Sequence, residues 1–287
     1  RPVPRRSWSE ALPQAAAELE PPAVTVPSTG AIDATISRIT SASADGYHLR
    51  IGRLPEGMET GPEWLGVDEV LASEGLKAAM LARVAGVSSR PDDYICTEWM
   101  IESWSRGLAD LAGSFMVSDR RLPDLGAENL IVAPFKGMVS ATAVKSASMT
   151  VLKGDPEAIA AGARAVDDWK GLADLMLEGL TDLFAPMVDW ADGHGLRPAK
   201  TLWNSCGDRI AQSLLWCGKA FDEEDFAFEL TEYLLAQFGP MSVPVERDLD
   251  EAGQPYHLRS TCCLNYRTPE GGYCLACPLL RGHQPPV

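Results

Sequence analysis

Cys262, Cys263, Cys274 and Cys277 follow the pattern Cys-Cys-x10-Cys-x2-Cys inside a window of 16 residues. Two residues between Cys274 and Cys277 let a turn aim both sulfurs at one metal centre. Pro269-Glu270-Gly271-Gly272 supplies a reversal that brings the first pair back towards the second. The adjacent pair is the unusual part. Neighbouring side chains on an extended chain point to opposite sides. Two adjacent thiolates therefore suit one tetrahedral ion poorly unless the backbone turns sharply. A cluster with more than one metal position eases that constraint. Thiolates are soft ligands that suit zinc and iron–sulfur centres alike. On spacing alone an iron–sulfur cluster, a structural zinc and a disulfide or free-thiol set stay open.

The stretch of about residues 258–281 resembles the C-terminal signature of FhuF-type ferric siderophore reductases. The resemblance includes the Cys-Cys-x-x-Tyr-Arg run of Cys262 to Arg267 and the ten-residue gap. Leu202-Trp203-Asn204-Ser205-Cys206-Gly207 is loosely similar to a Leu-Trp-rich helix of that family. The resemblance implies a [2Fe–2S] cluster on Cys262, Cys263, Cys274 and Cys277. It also implies reduction of siderophore-bound Fe(III) by one electron in the cytoplasm. The family's helical part is akin to the C-terminal portion of siderophore synthetases, so chelate binding without reduction is an alternative. A zinc-stapled binding or scaffold module is another.

Local charge fits an anionic centre. Residues 256–287 hold Arg259, Arg267 and Arg281 against Glu270, a net +2, within a chain of net −15. Guanidinium groups stabilise a reduced, more anionic cluster. Arg267, Arg281, Arg259 and Tyr266 flank the cysteines and are the expected chelate contacts. His257, five residues before Cys262, reads as a surface histidine.

The elements that must position these residues follow from periodicity. Residues 1–45, rich in Pro, Ala, Ser and Thr, read as a loose arm. Residues 46–255 read as a mainly helical siderophore-binding domain with a β insert near 129–152, and 256–287 as a cluster-binding segment. The fold expected is α+β, with a mostly α-helical main domain and a short irregular C-terminal iron–sulfur segment. A strand is expected near 47–54. Helices are expected over 67–84, from Asp92 or Asp93 to Leu111, from Asp155 to Pro186, over 198–219 and from Asp222 to Gly239. Leu130-Ile131-Val132 and Met138–Leu152 read as two strands joined by a turn.

Other constellations carry less. Cys206 and Cys217 share a helix face but lie ~16 Å apart along the axis, too far for one metal. With Cys96 they read as core thiols. Glu98 and Glu102, one helical turn apart, have no Glu-x-x-His partner, which argues against a di-iron site. Trp99, Trp104, Trp203 and Trp216 read mostly as core. No Gly-x-Gly-x-x-Gly and no Walker A motif appears, so electrons are expected from a donor protein such as a ferredoxin or a flavin/NAD(P)H reductase. The acidic chain disfavours nucleic acid. No run reaches the ~20 apolar residues of a membrane helix, and the Arg/Pro-rich start does not read as a secretory signal.

Overall fold

The computed structural model describes residues 31–43, 51–53, 64–87, 92–155, 163–238, 245–249, 255–269 and 271–280. Helix α4, Asp93–Asp119, is the axis of the molecule. The Asp92 carboxylate accepts from the Tyr94 N–H at 2.9 Å and starts it; Arg120, in the left-handed region at φ 56°, stops it. Its apolar residues are not confined to one stripe, and helices and strands pack around it. α6, Ala199–Phe221, makes the most extensive contact with α4 and also packs on α7, Glu224–Gln237. α5, Trp169–Gly193, covers another side of α4, and Trp104 Nε1 donates to the Leu183 carbonyl at 3.0 Å. Pro186, expected to kink or end α5, lies inside it, and the helix runs on to Gly193.

Two short helices, α2 (Val67–Ala72) and α3 (Glu74–Val87), occupy the span expected as one. α1, Ala31–Ser43, corrects the loose arm expected over 1–45. Ile32, Ile36 and Ile39 recur at helical spacing and are buried in the main core. Residues 1–30 lie outside the described residues.

The strands line α4 and α5. β1 (Ile51–Arg53), β5 (Met138–Val144), β4 (Leu130–Phe135) and β2 (Leu65–Gly66) form one sheet in that order. β4 and β5 turn through Lys136 and Gly137, both at positive φ, as a two-residue hairpin requires. A Cβ on Gly137 would sit 2.2 Å from the Met80 carbonyl oxygen, so glycine also lets the hairpin approach α3. β3 (Arg121–Pro123), β6 (Met149–Leu152) and β7 (Arg164–Val166) form a second sheet. The region expected to hold two strands therefore holds three, β4, β5 and β6. The helix expected from Asp155 begins instead at Trp169, where the Asp168 side chain accepts from Gly171 N at 3.0 Å. Ala163 to Val166, expected on its apolar stripe, are non-helical, and Asp155 pairs with Arg121; residues 156–162 are outside the described set.

A third pair, β8 (Arg247–Leu249) and β9 (Pro255–His257), lays β9 on α6 and leads the chain to the cysteines. Beyond His257 the described residues form only 3₁₀ turns at Asn265–Arg267 and Pro278–Leu280. The molecule is thus α+β with a mainly helical body, as the sequence implies, and seven α-helices among the described residues.

Candidate metal centre

The four C-terminal cysteines form a small cluster of their own, separate from the main core, with Tyr273 and Leu280 packed against it. Cys263, Cys274 and Cys277 are 2%, 4% and 5% exposed, and Cys262 is half-buried. The backbone turns immediately after the adjacent pair. Leu264 takes the left-handed conformation at φ 61°, rare for a residue with a Cβ, and its N–H donates to Cys262 Sγ at 3.4 Å. Three further contacts close the loop. Arg259 N donates to Ala276 O at 3.2 Å, Asn265 Nδ2 to Gly272 O at 3.2 Å, and Gly271 N to Thr268 O at 3.1 Å. Gly271 is obligatory here, because a Cβ would meet the Asn265 carbonyl oxygen at 1.7 Å.

The sulfurs neighbour one another: Cys277 interacts with Cys262 and Cys274, and Cys274 also with Cys263. The Cys263–Cys274 separation is 3.9 Å. Two thiolates on one tetrahedral ion, with metal–sulfur bonds near 2.3 Å, sit about 3.8 Å apart. Among the described residues, no three His, Cys, Asp or Glu side chains converge on one ion position. The Cys263–Cys274 spacing therefore fits two thiolate ligands of one metal position.

Protonation is uneven across the four. Contacts with the Cys262 and Cys274 sulfurs, with the Leu279 and Leu280 N–H groups, hold Cys277 down at about 3. The contact with Cys274, then Arg259, Asn265 N–H and Arg209, holds Cys263 at about 6, against the pull of burial. Cys262 and Cys274 are pushed up, chiefly by their contacts with the neighbouring sulfurs. Cys206 and Cys217 are pushed up by burial, as is Cys96, so these three behave as inert core thiols.

Helix α4 and the residues that lead into α6 hold the loop through its backbone. Trp99 Nε1 donates to the Cys263 carbonyl at 3.0 Å and Arg197 Nη2 to the Cys262 carbonyl at 3.3 Å. Beneath them lies a buried lattice of ions. Glu98 pairs with Arg197 at 2.7 Å and Arg259 at 3.5 Å; Glu102 pairs with Arg209 at 2.5 Å and with Arg259. Burial raises the Glu98 carboxyl and lowers the Arg209 guanidinium; Arg197 opposes the first, and the Cys263 thiolate and Asp208 oppose the second. Charges this deep are tolerable only because they are paired.

Two expectations are corrected. Arg259 does not face a chelate; it is 3% exposed and tied to Glu98 and Glu102. His257 is not a surface group; it is fully buried, with Nε2 3.0 Å from Asp208 Oδ1 and its N–H on Gln212 Oε1. Tyr266 is 39% exposed and stacks on Tyr273, and exposed Arg267 pairs with Asp92 at 3.0 Å. Arg281 lies outside the described residues. Sequence reasoning missed Trp99, Arg197, Asp208 and Arg209, and read Glu98 and Glu102 only as failed di-iron ligands. The available signal was charge on faces that are otherwise apolar. Glu98 and Glu102 sit among Cys96, Met100 and Ile101, and Asp208-Arg209 sits between Cys206 and Ile210.

Among the described residues no helix is long and apolar enough to cross a membrane. The comparison with curated proteins finds no match. Among solved structures the chain is similar to aerobactin synthetase IucC from a hypervirulent pathotype of Klebsiella pneumoniae, at 12% identity and a TM-score of 0.39. That match covers 62% of this chain and 32% of the synthetase, so the chain spans about a third of that protein's length. Residues 259–279 match the family model described as FhuF 2Fe-2S C-terminal domain. All four clustered cysteines and the left-handed turn at Leu264 lie inside that span, so the resemblance read from the sequence is shown there: residues 259–279 are similar to the FhuF 2Fe-2S C-terminal domain.

Proposed function

We propose that this protein is a cytoplasmic ferric siderophore reductase. Cys262, Cys263, Cys274 and Cys277 would hold a [2Fe–2S] cluster. When bound, such a cluster supplies storage of one electron at a potential tuned by its surroundings. The observation that carries this reading is that the family match falls on the one place, among the described residues, where four cysteine side chains meet.

The chain's own residues have definable tasks. Trp99 and Arg197 hold the carbonyls of Cys263 and Cys262. Arg209 and Arg259 offset negative charge at Cys263 and Cys274. Tyr266 and Arg267, exposed beside the cysteines, would meet the ferric chelate. The substrate is Fe(III) in a siderophore. Its hard oxygen ligands prefer Fe(III), so the Fe(II) formed by one-electron reduction binds more weakly and leaves. No proton transfer or nucleophile is needed. The electron would come from a donor protein such as a ferredoxin or a flavin/NAD(P)H reductase.

The full chain, purified without oxygen, tests this directly. The expected result is a reddish-brown protein with equal iron and acid-labile sulfide, bleached by dithionite. Its colour returns on adding a ferric trihydroxamate or tris-catecholate, and Fe(II) is captured by a colorimetric chelator. A colourless protein with stoichiometric zinc overturns the cluster. A loaded, reduced protein that neither chelate reoxidises overturns the reductase and leaves a chelate-binding role.

A further inference from the structure

Asp208 holds more of the cysteine loop than any cysteine contact does. Its carboxylate is 1% exposed. Oδ1 accepts from Ser260 N at 2.9 Å, Ser260 Oγ at 3.0 Å and His257 Nε2 at 3.0 Å. Oδ2 accepts from Ser260 N at 3.0 Å, Thr261 N at 3.0 Å and Thr261 Oγ1 at 2.9 Å. Arg259 Nε lies 3.8 Å away. Every partner is a donor, the set an ionised carboxylate accepts and an amide does not. These bonds fix the two residues immediately before Cys262-Cys263. Thr261 Oγ1 also lies 3.0 Å from the Ser205 hydroxyl, which donates to Glu98 at 2.6 Å, so the loop entrance packs against the ion lattice.

The next residue on α6 carries the opposite charge. Arg209 is buried, bonds Glu102, and lies within electrostatic reach of both Cys263 and Cys274. A loop can be anchored by neutral groups, such as the Gln212 amide that already accepts His257 N–H. Burying a charge for that task costs more, and its field is poorly screened in the interior.

We propose that Asp208 seats the cysteine loop and that Asp208 and Arg209, positioning residues of opposite sign, set the reduction potential of the centre in opposite directions. This rests on the cluster reading above. Removing the Asp208 charge leaves Arg209 and Arg259 less compensated and favours the reduced, more anionic state. Removing the Arg209 charge disfavours it.

The test compares full-length, cluster-loaded wild type with Asp208→Asn, Arg209→Gln and Arg209→Lys. Iron and acid-labile sulfide are counted, the dithionite-reduced EPR spectrum is recorded, and the potential is titrated on the loaded fraction. D208N is expected to raise the reduced-to-oxidised ratio at fixed potential at least tenfold, about 59 mV for one electron. R209Q is expected to lower it by a similar factor, and R209K to stay near wild type. D208N is also expected to change the EPR line shape, because an amide N–H would face the Ser260 and Thr261 donors. A merely structural role would reduce loading and leave the potential of the loaded fraction alone. Unchanged potentials in D208N and R209Q, or shifts in the same direction, overturn the proposal. If D208N carries no iron, R209Q alone decides, and a wild-type potential in it overturns the proposal. Wild-type protein without iron and sulfide overturns the function proposed above and this inference with it. Loaded wild type with unresponsive variants overturns this inference alone.

Discussion

Replacing Arg259 by Met tests whether this arginine's partner is the buried lattice and not a chelate. The lattice sets Glu98, Glu102 and Asp208 against Arg197, Arg209 and Arg259. Met fills similar volume without charge, so the variant leaves three carboxylates against two arginines, with Glu102 losing one of its two cations. Removing one partner from a buried ion pair costs about 3–5 kcal/mol, because the remaining charge is stranded in low dielectric. For a domain of this size each kcal/mol lowers Tm by about 2–4 °C, so Tm should fall by ~6–20 °C. The assay is calorimetric unfolding of loaded protein, alongside ferric-chelate reduction by the folded fraction at low temperature. KM for the chelate should not change, because the side chain is out of reach of solvent. Adding Glu102→Gln to the same chain should return at least half of the lost stability, since the stranded charge is gone. A Tm within about 2 °C of wild type would refute the lattice argument, being less than its smallest predicted cost. A raised KM with intact Tm would return Arg259 to the substrate site.

Three further perturbations follow from the same geometry. Gly271→Ala puts a Cβ 1.7 Å from a backbone oxygen that cannot swing away, so most iron and sulfide should be lost; full loading would show that the loop opens freely. Trp99→Phe removes the 3.0 Å bond to the Cys263 carbonyl, worth about 1 kcal/mol. Bleaching by an iron chelator should then run about fivefold faster, and an unchanged rate would take Trp99 out of the seat. Arg267→Ala breaks only an exposed pair with Asp92. Such pairs contribute about 0–1 kcal/mol, so Tm should hold while KM for the ferric chelate rises; an unchanged KM removes Arg267 from the substrate surface.

The cysteines are legible in sequence because their chemistry and spacing are local. Their geometry is less so. The turn that leads the chain away from Cys262-Cys263 is made at a left-handed Leu264, which no propensity places there. Gly271 is visible as a turn residue, but the reason it must be glycine is a contact made across the loop with Asn265. α1 shows its Ile32-Ile36-Ile39 stripe plainly, yet the Pro, Ala, Ser and Thr around it dominate any compositional reading. The stretch Ala163–Val166 continues an apolar helical stripe in sequence. Tertiary pairing of β7 with β6 overrides it, and the helix waits for the Asp168 cap. His257 reads as exposed because the residues that bury it, Asp208 and Gln212, come from a helix some 45 positions earlier.

The lattice is the part that sequence reading could have reached by stricter argument. Glu98 and Glu102 fall on the buried side of a helix, and carboxylates there must be answered by cations from another element. The only question is which. Asp208-Arg209 interrupts the apolar stripe of α6, the helix that packs most extensively on α4, and so supplies one cation at the right place. The other two, Arg197 and Arg259, stand where the chain enters α6 and where it leaves β9 for the cysteine loop. The three carboxylates and three arginines balance in number, so the lattice adds little net charge. It does add direction. The carboxylates of α4 lie on the helix side, while Arg197 reaches the Cys262 carbonyl and Arg209 and Arg259 act on Cys263 and Cys274. An oriented, neutral array of this kind favours negative charge at the sulfurs without making the interior positive as a whole, which is what a thiolate metal centre inside an acidic protein requires.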